Sequence, residues 1–149
     1  MKKFQFRLNA FLSYRKHLEQ EAKQAVALTR VKIDECRQRI AIQQEQQAKN
    51  LQELQEKMSS GISAAQISVY ISYHQRLERG LYDESQLLIN LQKELAHKQK
   101  LLKQRSIEKK AIENLKQRSK EEYYKEIDMI LQKETEDMVI MRKIRENMK

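Results

Sequence analysis

The chain has no proline and only two glycines, Gly61 and Gly80, in 149 residues. A compact domain of that length must reverse direction several times, and each reversal is usually marked by Gly, Pro or a cluster of small polar residues. One such cluster is visible, Ser59-Ser60-Gly61-Ile62-Ser63. A chain that can turn once is confined to a few long elements. Its abundance of Gln, Glu, Lys, Arg, Leu and Ala leaves two options, long helix or charged disordered chain.

Apolar spacing decides for helix. From Phe4, steps of three and four lead through Leu8, Phe11, Arg15, Leu18, Ala22, Val26, Thr29, Ile33, Cys36, Ile40, Gln43, Gln47, Leu51 and Leu54 to Met58, with extra four-residue steps near Ala22 and Gln47. A second seam runs from Tyr73 through Leu77, Leu81, Glu84, Leu88, Leu91, Leu95, Lys98, Leu102, Arg105 and Lys109 to Ile112. It continues less regularly through Tyr123, Ile127, Ile130, Met138, Met141, Ile144 and Met148. This is the period of a coiled coil. The expected fold is all-α: a long two-helix antiparallel coiled coil, a hairpin, in a single domain over residues 1–149. Helix 1 is expected over about 3–58, the turn at 59–61 and helix 2 over about 62–147.

These helices are unequal, roughly 80 Å and 130 Å at 1.5 Å per residue. Pairing in strict register from the turn leaves about the last 30 residues as a C-terminal overhang. That overhang keeps an apolar stripe, Ile127, Ile130, Met138, Met141 and Ile144. A stripe without an intrachain partner predicts an external one.

Near its middle the seam is polar, with Gln43, Gln46, Gln47 and Asn50 on one side and Lys98, Arg105 and Lys109 on the other. The expectation is that their stems line the seam while their heads reach water, leaving a coil held more firmly near its ends than at its centre. Cys36, the only cysteine, falls on the seam and is expected to be a buried small hydrophobe; it excludes an intrachain disulfide.

The formal net charge of +9 favours acidic partners without identifying one. Basic residues crowd Lys93–Lys120 and acids dominate Glu121–Asp137, yet the Lys and Arg are not interleaved with aromatic platforms, so nucleic acid is not expected as a partner. No run approaches the ~18 apolar residues of a membrane span, and the start Met1-Lys2-Lys3-Phe4-Gln5 does not read as a signal peptide; a soluble, cytosolic protein is expected. His17, His74 and His97 are far apart without a metal-ligand set around them, and neither glycine belongs to a phosphate loop. Catalytic, cofactor and metal residues are therefore expected to be none, and the protein is not expected to be an enzyme.

The opening Phe4-Gln5-Phe6-Arg7-Leu8, then Phe11-Leu12, Arg15 and Glu21-Ala22, resembles the start of the FliJ family of flagellar export proteins. Gly61-Ile62-Ser63 through Tyr70, Tyr73, Leu77 and Glu78 resembles that family's hairpin end, and Glu134–Arg142 its acidic-then-basic closing segment. The resemblance implies a cytoplasmic, membrane-peripheral component of the flagellar type III export apparatus, a coiled coil similar to the rotary ATPase gamma-subunit stalk. It implies a terminal end seated in the hexameric export ATPase, with Phe4, Phe6, Arg7, Phe11, Arg15, Met138, Met141, Arg142 and Arg145 as contacts. It also implies a surface for the cytoplasmic domain of the membrane export gate, at Arg39, Gln43, Gln46, Asn50, Tyr73, Leu77, Gly80 and Glu84, and a role with export chaperones. The first-helix gate set departs from the family pattern, being polar where aromatics and Leu are expected. Alternatives are the stalk of a virulence type III secretion system, or a generic coiled-coil scaffold or chaperone that self-associates through its tail.

Overall fold

A computed structural model describes residues 3–148. Two helices, α1 (Asn9–Ser60) and α2 (Ala64–Asn147), pack against each other as a hairpin, so the fold is all-α.

The reversal lies slightly later than expected. Ser59 and Ser60 remain helical, their hydroxyls donating back to the carbonyls of Gln55 (3.0 Å) and Lys57 (3.1 Å). Gly61 follows with φ +83, a left-handed conformation that a Cβ would strain, and its N–H donates to the Met58 carbonyl at 3.3 Å. Ser63 and Gln66 then form a reciprocal cap. The Gln66 N–H donates to Ser63 Oγ (3.3 Å) and the Ser63 N–H donates to Gln66 Oε1 (3.2 Å), which starts α2 at Ala64 rather than at 62.

At the other end α1 starts at Asn9, not near residue 3. Phe4–Leu8 is a non-helical strap whose Phe6 is buried and whose Phe4 ring lies 5.5 Å from the Tyr123 ring. Arg7 and Leu8 form a turn, in which the Asn9 N–H donates to the Phe6 carbonyl at 3.2 Å. The uncovered end of α2 is shorter than expected: Tyr123 and Ile127 are half-buried, and every described residue from 128 onward is exposed.

The α1 seam is also more regular than its apolar residues suggested. The covered positions run Leu12, Arg15, Glu19, Ala22, Val26, Thr29, Ile33, Cys36, Ile40, Gln43, Gln47, Asn50 and Leu54, a heptad without stutters. Leu12 (4% exposed) replaces Phe11 (38%), and Asn50 (6%) replaces Leu51 (43%). The two expected stutters came from choosing Leu18 over Glu19 and Leu51 over Asn50. Polar residues hold those places because α2 offers them partners.

The chain divides into two compact units. The unit Gln20–Lys103 contains a buried cluster of Ile33, Cys36 and Leu91, with Ile40, Leu88 and Leu95 packed against it. Its centre is therefore well packed, contrary to the expectation of a coil held mainly at its ends. The other unit combines the chain up to Glu19 with the chain from Gln104 onward, and buries Phe6, Leu12 and Glu19.

Candidate partner-binding surfaces

In the Gln20–Lys103 unit most of the expected gate residues contact one another or their seam neighbours. Arg39 Nε donates to Glu84 Oε1 at 3.0 Å, while Cys36 Sγ lies 3.3 Å from both the Glu84 carbonyl oxygen and Oε2. The hydrogen bond from Arg39 holds the Glu84 carboxyl below the usual carboxylate range, and burial, helped by the Glu84 charge, pushes the Cys36 thiol up. The thiol is protonated, buried and unsuited to nucleophilic chemistry.

One turn nearer the reversal, the Gln43 amide lies over Gly80, where an added Cβ would meet its Nε2 and Oε1 at 3.4 Å. Gln43 Oε1 is buried without a hydrogen-bond partner. Gln47 Nε2 approaches His74 Nε2 at 3.4 Å, and Asn50 Nδ2 donates to the Tyr70 carbonyl at 3.1 Å. Leu77 is buried between the helices and is therefore not a surface contact in this structure. Gln46 is exposed, and Tyr73 is half-buried with the Arg76 guanidinium 5.4 Å from its ring centre.

Beside this row lies an open groove lined by Asn50, Glu53, Tyr70, Tyr73, Arg76 and Gly80 among others. Sequence reading did not single out Glu53 or Arg76 as site residues. Arg76 sits three residues from Tyr73 and four from Gly80, one helical face, which is the signal that could have found it.

Specific contacts also replace the expected solvated heads further along the seam. Lys98 Nζ donates to Thr29 Oγ1 at 2.9 Å and pairs with Glu94 at 2.7 Å, and the Thr29 hydroxyl donates to the Ala25 carbonyl at 3.0 Å. In the terminal unit, Lys109 Nζ donates to Glu19 Oε1 at 3.0 Å, a bond that raises the lysine pKa. Arg105 joins Glu108.

The expected ATPase contacts fall into two sets that the structure does not bring together. Phe4, Phe6 and Arg7 belong to the strap, beside Leu115 and Ser119 of α2. Phe6 is buried there, so only release of the strap would present it to a partner. Arg15 is engaged with Glu108 and lies 4.9 Å from the centre of the exposed Phe11 ring. Met138 and Met141, 63% and 64% exposed, stand with Arg142 and Arg145 on the uncovered end of α2.

Among the described residues no group of three or more His, Cys, Asp or Glu could hold a metal, and no helix is long and apolar enough to cross a membrane. The profile of the flagellar FliJ protein family matches residues 4–148, from the strap to the end of α2. The chain belongs to the FliJ family. FliJ-family proteins are coiled-coil, stalk-like proteins of type III export, cytoplasmic and generally non-catalytic, so export-apparatus partners are implied for this chain too. A solved structure described as that of a candidate YscO homolog, CT670 from Chlamydia trachomatis, is similar at 18% identity and TM-score 0.47, covering 99% of each chain. No curated protein matches this FliJ-family sequence.

Proposed function

We propose that this FliJ-family protein is a non-catalytic cytoplasmic component of the flagellar type III export apparatus, peripheral at the cytoplasmic face of the membrane. Its terminal end inserts into the hexameric export ATPase and promotes ring assembly and activity. The row from Arg39 to Glu84 and the Tyr73 groove face the cytoplasmic domain of the export gate, and export chaperones are further clients.

The observation that supports this reading best is the helical end of α2 beyond Ile127, which keeps exposed Ile130, Met138, Met141 and Ile144 with Arg142 and Arg145 beside them. Apolar side chains on a helix with no intrachain cover favour a site that encloses them, and the arginines suit an acidic pore. The test is stimulation of the export ATPase by wild-type protein and by Met138→Ser/Met141→Ser. Both residues are solvent-facing, so the hairpin is unaffected, and stimulation is expected to fall at least about tenfold, the loss for two buried apolar anchors. Full stimulation by the double variant would overturn the inserted-end reading.

A further inference from the structure

The strap, Phe4–Leu8, contains no glycine or proline, so nothing in its sequence bars it from a helix. The seam at Leu12, Arg15 and Glu19, followed backward in the same steps of four and three, reaches Leu8 and then Gln5. On the α2 side the seam continues past this point: Lys109, Ile112, Lys116, Ser119 and Tyr123, also at steps of three and four, are all half-buried. The strap nevertheless leaves Leu8 41% exposed, while Phe6 is only 8% exposed. Phe6 precedes Leu8 by two residues, about 160° round a helix of 3.6 residues per turn. A helical start with Leu8 on the seam would therefore turn Phe6 away from α2. The strap covers Phe6, a helix would cover Leu8, and neither conformation covers both.

We propose that residues 4–8 are a latch with two positions. In the closed position, the one in the structure, they run as the strap, with Phe6 buried and the Phe4 ring beside Tyr123. In the open position they continue α1 as helix and Leu8 enters the seam. Phe6 then stands on the outer side, in line with the exposed Ala10, Ser13 and His17, where an apolar pocket of a partner takes it. The exchange is nearly even in apolar cover, one large side chain for another. Backbone bonding does not favour the strap. Among the described residues its bonds are from the Asn9 N–H to the Phe6 carbonyl and from the Leu12 N–H to the Leu8 carbonyl, and none reaches α2. Two positions so closely matched are shifted by a ligand that binds only one of them, and Phe6 is offered only by the open one. This inference concerns the chain alone and does not rest on the proposed function.

Backbone NMR of the full chain, without ATPase, tests the latch. Wild-type Cα shifts at residues 4–8 should be non-helical. Phe6→Gln removes the anchor of the closed position and leaves Leu8 in place, so these shifts should move to helical values. The Ala10 and Phe11 amides would then bond to carbonyls one turn earlier, and their hydrogen exchange should slow at least about tenfold. Two controls separate the latch from helix propensity alone. Phe6→Gln/Leu8→Gln has no apolar side chain to place in the seam and should stay non-helical. Phe6→Gln/Arg7→Pro should stay so too, because the Arg7→Pro change suits the second position of the turn closed by Asn9 but disfavours helix at the residue before it. The buried contacts of Ile33, Cys36 and Leu91 lie far along the chain from these changes, so each variant keeps the hairpin. Non-helical shifts in Phe6→Gln, or equal helix gain with Leu8→Gln added, would overturn the proposal. Neither result bears on the stimulation experiment with Met138 and Met141.

Discussion

The two glycines have opposite physical roles. Gly61, at φ +83 in the turn, has open space around the position of an added Cβ, so backbone strain alone disfavours a side chain there. Gly80 is helical, and an added Cβ would meet only the end of the flexible Gln43 side chain, at ordinary contact distance. Gly61→Ala should therefore cost about 1 kcal/mol, whereas Gly80→Ala should stabilise by about 0.5–1 kcal/mol through helix propensity. Urea denaturation of the two variants measures both signs. Gly80 is thus not required by packing within the chain, and an alanine that stabilises the fold yet weakens a partner would place its use at that partner. Burial of Cys36 was legible from its seam position, because a small apolar residue at that phase has few other places to go. Glu19 and Asn50 were not legible. An apolar-only criterion prefers the neighbouring Leu18 and Leu51, and nothing in the sequence announces that Lys109 and the Tyr70 carbonyl supply partners.

For the two helices the consequence is that polar contacts specify register. A purely aliphatic heptad seam allows one helix to slide past the other in steps of seven; Asn50 on the Tyr70 carbonyl, Lys98 on Thr29 and Lys109 on Glu19 are satisfied in one alignment only. Glu19 is buried, so its pairing with Lys109 should register in a double-mutant cycle. Glu19→Ala, Lys109→Ala and the double variant are expected to give a coupling energy of about 1 kcal/mol, read from chemical denaturation. The helical hairpin itself was readable from the scarcity of turn residues. The strap was not, since Phe4 and Leu8 continue the three-four spacing, whereas in the structure Phe6 is the buried residue and Leu8 is exposed.

At the scale of the whole molecule, cover is distributed unevenly along α2. Leu88, Leu91 and Leu95 meet α1 in the main buried cluster, whereas every described residue from 128 onward is exposed. A helix without tertiary contacts is marginal in water. Amide hydrogen exchange should therefore be slowest around Ile33–Ile40 and Leu88–Leu95, and at least about a hundredfold faster after residue 128. Dilute protein is the right sample, because a self-associated tail would be protected. The uncovered stretch and its apolar stripe were legible from unequal helix lengths; its shortened extent was not, since nothing in the spacing shows that Tyr123 and Ile127 are half-buried.

The single reversal at Gly61–Ser63 also sets an order of assembly. Asn50 and Tyr70 are 20 residues apart in sequence, Cys36 and Glu84 are 48 apart, Thr29 and Lys98 are 69 apart, and Glu19 and Lys109 are 90 apart. Closing a loop costs more entropy as it lengthens, but each contact already made shortens the next loop to a few residues. The hairpin should zip from its turn outward. During synthesis α1 is made whole before any of its partner residues exist, and the strap waits for Tyr123. The unit that contains the strap is the last to close.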